Sequence, residues 1–103
     1  MIALTVTVDM WHDVDKVNND ILVTIYSDVK ISEDLLNYWG PVEFWMEVYD
    51  ANGNKIKESK HISIVEPEKT LSITLVNPDE GVYTAYTKWK TVKTYSYLSL
   101  IHI

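Results

Sequence analysis

Asn77-Pro78-Asp79-Glu80-Gly81-Val82-Tyr83-Thr84-Ala85 is a turn that delivers a tyrosine into a strand. Pro78 and Gly81 punctuate it, Asp79 and Glu80 keep its tip in water, and Val82 to Trp89 then alternates as a β-strand does. Tyr83, Ala85, Thr87 and Trp89 fall on one face of that strand, with Val82, Thr84, Tyr86 and Lys88 on the other. A lysine-bearing hairpin (Lys88, Lys90, Lys93) follows. The stretch from Thr94 to Ile103 then carries no formally charged side chain if His102 is neutral.

Upstream, Ile2, Leu4, Val6 and Val8 alternate with Ala3, Thr5, Thr7 and Asp9, which predicts a first strand with its apolar face inward. Met10 to Asp20 is polar, rich in Asp and Asn, and reads as a loop carrying one conspicuous aromatic, Trp11. Ile21, Val23 and Ile25 start a second strand, expected at a central position. Ser32 as N-cap, Glu33 and Asp34 in the first turn, and Gly40-Pro41 past the end predict one or two helical turns. Val42, Phe44, Met46 and Val48 alternate with Glu43, Trp45, Glu47 and Tyr49, and Asn52-Gly53 predicts a two-residue hairpin turn. The return strand, about Lys55 to Lys60, reads as a charged edge. Ile62 and Ile64, then Leu71, Ile73 and Leu75, mark further short strands, split by Glu66-Pro67-Glu68-Lys69. Seven to eight short strands with turn signals every eight to twelve residues predict an all-β, antiparallel sandwich occupying residues 1–103 as one domain.

Asp79-Glu80-Gly81-Val82-Tyr83-Thr84-Ala85 resembles the tyrosine corner of immunoglobulin-like domains, with Ala85 standing where antibody-type domains place their second cysteine. The run from Val42 to Lys55, followed by Leu71-Ser72-Ile73-Thr74-Leu75 and then Gly81-Val82-Tyr83, is similar to the cysteine-free immunoglobulin-like and fibronectin-type-III-like modules of prokaryotic surface proteins. The resemblance implies a Greek-key sandwich in which the Tyr83 hydroxyl bonds to backbone at the corner. Trp45 departs from the pattern, because it lies on the face opposite Phe44, Met46 and Val48.

Composition excludes several classes of function. The chain has 103 residues, enough for one core burying roughly 65% of the unfolded surface. It has no cysteine, so disulfides, thiolate zinc sites and a cysteine nucleophile are out. All nine basic residues are lysines, set against fifteen carboxylates for a net charge of −6, and arginine, the bidentate reader of phosphate and guanine, is missing. Nucleic acid is therefore not an expected partner. Residues 1–50 hold ten acidic side chains and two lysines, and residues 51–103 hold five and seven, an asymmetry able to steer the molecule onto another copy of itself and equally explained by a solvated surface with no partner. No apolar run approaches the length of a membrane-spanning helix, and Met1-Ile2-Ala3-Leu4-Thr5-Val6 lacks the features of a secretory leader.

The candidate binding residues are Trp45, Tyr49 and Tyr86. If Phe44, Met46 and Val48 face the core, these three form an exposed aromatic stripe flanked by Glu43, Glu47 and Lys88, a form suited to protein docking or to stacking on sugars. The alternative is that a loop or the other hairpin covers them, or that the third strand is one residue out of register and Trp45 is core. Trp11, Tyr38 and Trp39 lie in connecting segments and are expected to plug the ends of the sandwich. Asp9, His12, Asp13, Asp15 and Asp20 are hard-oxygen candidates for calcium, but no glycine and no bidentate glutamate completes such a loop, so a solvated acidic loop is the expectation. His12, His61 and His102 are too scattered for zinc, and no metal or cofactor is expected.

No nucleophile elbow or phosphate loop occurs, and Glu43 and Glu47 are about 13 Å apart at strand rise, too far for a retaining glycosidase pair. An enzyme is not expected. The first and last strands are uncharged and β-prone, which predicts either internal pairing or pairing with a neighbouring subunit. The reading is thus a non-catalytic structural or interaction protein of a surface, filament or virion, acting by self-association or protein docking. A carbohydrate-binding module is the alternative, and a small acidic inhibitor of an intracellular target the third.

Overall fold

In the computed structural model, residues 4–91 and 94–102 are described, the latter segment by its backbone alone. The chain runs β1 (Val6–Val17), β2 (Asp20–Ile31), α1 (Glu33–Trp39), β3 (Val42–Tyr49), β4 (Lys55–Glu58), β5 (Ile62–Ile64), β6 (Glu68–Val76), β7 (Val82–Lys90) and β8 (Thr94–His102). Two antiparallel sheets face each other as an all-β sandwich. Sheet A has the order β1-β2-β6, and sheet B the order β4-β3-β7-β8, with β5 also pairing β3. The second strand is central in its sheet, as its apolar content predicts.

The core lies between the inward faces of the two sheets. Val23, Ile25 and Val29 of β2 and Val42, Phe44, Met46 and Val48 of β3 are fully buried, joined by Leu71, Ile73 and Leu75 of β6 and by Tyr83 and Ala85 of β7. These are the period-two positions of each strand, so burial follows the alternation directly. One polar pair crosses the core: the Ser27 and Thr87 hydroxyls, one from each sheet, are 2.6 Å apart and have no exposure to solvent.

The tyrosine corner forms as the resemblance implies. Tyr83 is buried and its hydroxyl donates to the Asp79 carbonyl at 2.6 Å, across the turn that precedes it. Asn77, at φ 48, opens that turn and ties it to sheet A. Its backbone N–H donates to the Ile21 carbonyl at 2.7 Å, and its side-chain oxygen accepts from the Ile21 N–H at 2.8 Å.

Two expectations about connections are corrected. Met10 to Asp20 is not a loop: β1 runs on to Val17 and pairs with β2 continuously from Val6↔Ile31 to Val17↔Asp20, leaving Asn18-Asn19 as the turn, with Asn18 at φ 57. Every residue from Trp11 to Val17 is exposed, so hydrophobic alternation could not signal this half of the strand. Its extended shape comes from the ladder to β2, whose own alternation is strong. The β3–β4 connection is also longer than two residues. Tyr49 pairs with Lys55 across a register shift, and Asp50 to Asn54 form the turn, with only Gly53 of its residues at positive φ (81°). The Asp50 carboxylate accepts from the N–H groups of Asn52 and Asn54, both at 2.9 Å, which organises the wider turn and lowers the Asp50 pKa.

The helix matches its punctuation. Ser32 Oγ accepts from Leu35 N–H at 3.3 Å, and Gly40, at φ 71, returns its N–H to the Leu36 carbonyl at 2.9 Å. Leu35 is buried in the core, while Tyr38 and Trp39 are exposed.

Candidate functional site

Alternation on β3 and β7 sends Trp45, Glu47 and Tyr49, with Tyr86 and Lys88, to the outer face of sheet B. The register Trp45↔Lys88, Glu47↔Tyr86 and Tyr49↔Thr84 brings them together. The three residues singled out from sequence are therefore neighbours on one face. They do not form an open stripe. Trp45 is only 8% exposed, and Tyr49 and Tyr86 are half-buried with their rings edge to face at 5.4 Å.

What covers Trp45 is His61, delivered by a break in the edge strand. β4 and β5 both pair with β3, but Ser59 to His61 interrupt them between the Glu47↔Glu58 and Phe44↔Ile62 pairs. At the break, the Ser59 hydroxyl takes the place of a backbone carbonyl: it accepts from Met46 N–H at 2.7 Å, while Ser59 N–H donates to the Met46 carbonyl at 2.8 Å. The ladder survives by this substitution, and the chain re-enters with the His61 ring flat on the Trp45 indole, 4.3 Å between centroids and 6° between planes.

Both His61 nitrogens face carboxylates, Nδ1 at 2.9 Å from Glu43 and Nε2 at 3.0 Å from Glu58. Only the imidazolium can donate from both nitrogens, so the arrangement selects the charged ring. The Glu43 hydrogen bond is the main cause of the raised His61 pKa; partial burial opposes it and Glu58 adds to it. A cationic ring stacked on an indole also gains from the quadrupole of the indole.

Glu47 is the centre of the face. It is buried, and its carboxylate accepts from Trp45 Nε1–H at 2.8 Å and from the Tyr49 hydroxyl at 2.5 Å, with the Lys88 ammonium 3.1 Å away. Burial alone would push its pKa up; the donors from Tyr49, Trp45 and Lys88 together outweigh burial and lower it to about 2. Tyr49 shifts reciprocally upward, first because its proton is held by Glu47. A carboxylate with that affinity for its donors stays ionised at neutral pH and has no proton to give. Glu43 and Glu47 are engaged separately: one binds His61 and the other the Trp45–Tyr49–Lys88 group.

The sequence reading missed two roles here. The Glu47 hub was legible as Trp45-x-Glu47-x-Tyr49, three same-face residues with one acceptor between two donors. His61 was not, because its position depends on where the edge strand breaks.

The remaining aromatic candidates lie elsewhere. Trp11 does not plug an end of the sandwich: it is 44% exposed on the outer face of sheet A, stacked on Tyr26 at 5.4 Å and 15°. Tyr38 and Trp39, at 62% and 44% exposure, also stand out from the end of the sandwich they were expected to close. A seven-residue helix has room to bury one turn-spaced face, and Leu35 and Leu36 take it. Asp9, Asp13 and Asp15 alternate along β1, so their side chains line up along the strand instead of converging, and among the described residues no three acidic or histidine side chains are placed to hold a metal ion.

No protein-family model and no curated protein matches the chain. Solved structures do. A β-glucuronidase from Parabacteroides merdae superposes with a TM-score of 0.69 over 94% of this chain at 15% identity. A putative β-galactosidase from Bacteroides fragilis gives 0.60 over 91% at 14% identity, and a β-glucuronidase from glycoside hydrolase family 2 gives 0.55 over 91% at 14% identity. The chain spans 14%, 16% and 11% of those three proteins, respectively. At such identities the likeness is one of fold: this sandwich is similar to a small β-domain within each of them.

Proposed function

We propose that the chain is a non-catalytic interaction domain that works by strand addition along β8, with a second copy of itself as the first partner. The observation that supports this is the contrast among sheet edges. β1 carries Asp9, Asp13, Asp15 and Lys16; β4 carries Lys55, Lys57 and Glu58; β6 carries Glu68 and Lys69. Charges of this kind deter a neighbouring strand. β8 reads Thr-Tyr-Ser-Tyr-Leu-Ser-Leu-Ile-His, pairs with β7 over its whole length, and has no strand on its other side among the described residues. A long uncharged edge without proline is the form that recruits another strand. That each similar protein contains this sandwich as a small part of a larger enzyme agrees with a domain that supports rather than performs chemistry.

Leu98 is the middle residue of β8, so in a two-fold antiparallel pair the two copies of it approach each other. Leu98→Lys and Leu98→Glu should each be monomeric by sedimentation at concentrations where the parent chain is dimeric, and their equimolar mixture should recover a dimer, because opposite charges facing across strands attract and like charges repel. A parent chain that stays monomeric at millimolar concentration, or variants that dimerise as well as the parent, would remove the reading.

A second reading, carbohydrate contact, is favoured by one observation: Tyr49 and Tyr86, still half-exposed, wall an open groove with Val82, Thr84 and Lys88. Glycan binding that is lost in Tyr86→Ala while the Leu98 variants keep it would select this reading.

A further inference from the structure

The outer face of sheet A holds a group of residues that neither the core nor the β8 edge uses. The register of β1, β2 and β6 sets three rows across that face: Asp9, Asp28 and Thr70; Trp11, Tyr26 and Ser72; Asp13, Thr24 and Thr74. The middle row is the Trp11–Tyr26 stack, with Trp11 open to solvent. Each outer row lies about 7 Å away along the strands, so the aromatic shelf is bracketed by carboxylates on both sides. Asp9 and Asp28 are directly opposite, which places their Cβ atoms about 5 Å apart.

The chemistry of this face is one-sided. Its strands present Asp9, Asp13, Asp15, Asp20, Asp28 and Glu68 outward, against Lys30 as the one lysine. Asp28 accepts a hydrogen bond from the Thr70 hydroxyl at 3.2 Å, and among the described residues Asp9 and Asp13 have no cation paired to them. Like charges facing each other across strands work against stability. Lys30 lies in the neighbouring row of the same face, but no ion pair to Asp9 or Asp28 forms among the described residues, and a ligand that brings a counter-charge would relieve the Asp9–Asp28 pair.

We propose that this face, built on the Trp11–Tyr26 stack and the Asp9–Asp28 pair, is a docking site for an arginine-bearing basic segment of another polypeptide. The strong polar groups beside the shelf are acceptors, so the occupant must be rich in donors and positively charged. A guanidinium fits all three features: it is planar and stacks on an aromatic face, its fork spans two carboxylate oxygens, and its charge stays fixed at any pH the protein meets. Lysine fits the charge alone. Residues 1–103 contain no arginine, so the segment is not one of these residues in a second copy, and this site is independent of the β8 edge.

The test is titration of the intact chain with an acetylated, amidated hexa-arginine peptide, followed through the Trp11 indole N–H resonance, with hexa-lysine and hexa-citrulline as controls. The expected result is a saturable shift of that resonance by hexa-arginine, binding about three- to ten-fold weaker for hexa-lysine, and none for hexa-citrulline. Trp11→Ala, which lacks that reporter and is compared with the parent by titration calorimetry, should lose about three- to ten-fold in affinity, and Asp28→Asn should weaken binding and flatten its salt dependence. Because Trp11 and Asp28 lie outside the core, both variants should keep the parent circular dichroism. Equal affinity for the arginine and lysine peptides together with an unaffected Trp11→Ala variant would reduce the site to general acidity and overturn the proposal. So would a Trp11-dependent shift produced by neutral oligosaccharides but not by the arginine peptide, which would make the shelf a sugar platform.

Discussion

Replacing Glu47 with glutamine tests the account of the sheet B face most directly. The Glu47 pKa falls from an ordinary 4.5 to about 2. At about 1.4 kcal/mol for each tenfold change in proton affinity, that difference corresponds to roughly 3 kcal/mol favouring the folded state. The sign follows from the depressed value. The contribution is fully present above pH 4.5, where the carboxylate is ionised in both states, and is lost as pH falls toward 2 and the folded form takes up its proton. Glutamine keeps the shape but cannot accept from both donors at once: its amide nitrogen must face either the Tyr49 hydroxyl or the Trp45 N–H, and Lys88 loses its counter-charge. Urea denaturation of Glu47→Gln should therefore show a deficit of roughly 3 kcal/mol at pH 7, a midpoint lower by between roughly 1 and 3 M. The deficit should shrink to ~0.4 kcal/mol at pH 2, where the parent carboxylate is already half protonated in the folded protein and neutral in the unfolded chain. Comparing the two proteins at each pH cancels the acid sensitivity of Asp50 and Glu58, whose pKa values are also lowered. A deficit of the same size at pH 7 and pH 2 would refute the argument, because it would place the effect in packing and not in charge.

Two further predictions concern groups whose partners lie far away in sequence. Thr87→Val strands the Ser27 hydroxyl in the core and should cost about 1–3 kcal/mol, while the double variant with Ser27→Ala should recover most of that; thermal unfolding of the four proteins of the cycle measures it, and strict additivity would contradict a shared hydrogen bond. His61→Ala should uncover Trp45, raising acrylamide quenching of the fluorescence that disappears in Trp45→Phe. Because the folded-state pKa of His61 is raised above 6.5, its hold on Trp45 is complete below that pH and is lost as pH rises through the raised value, so quenching should increase with alkalinity in the parent and not in His61→Ala. A quenching profile that is flat with pH in both proteins would show that the ring covers Trp45 without titrating.

The sandwich was legible where burial and alternation coincide. β2, β3, β6 and β7 all have an apolar face and a polar one, and the Pro78–Gly81 turn followed by Tyr83 is enough to set the corner. The distal half of β1 was illegible because both of its faces meet water, so that its shape is dictated by a partner strand and leaves no trace in its own pattern. Trp45 illustrates a different limit. Alternation gives the side of the sheet correctly, but exposure depends on what lies above, and His61 arrives there only because Ser59 bridges a break in the neighbouring strand. Ser27 and Thr87 are polar residues at inward positions on strands of different sheets, and their pairing, in which each supplies the hydrogen-bond partner of the other, depends on how the two sheets are brought together.

The break between β4 and β5 has a consequence beyond placing His61. An incoming strand needs an unbroken row of donors and acceptors, and this border of sheet B is made of two short strands, β4 and β5, separated at Ser59 to His61. Such a border is a poor template for strand addition. Joining two copies along β8 would place a broken border at each outer limit of the combined sheet, leaving only a poor template for a third copy. The same irregularity that shields a tryptophan would thus set a stoichiometry, ending growth at a pair where an unguarded sandwich could continue into a fibre.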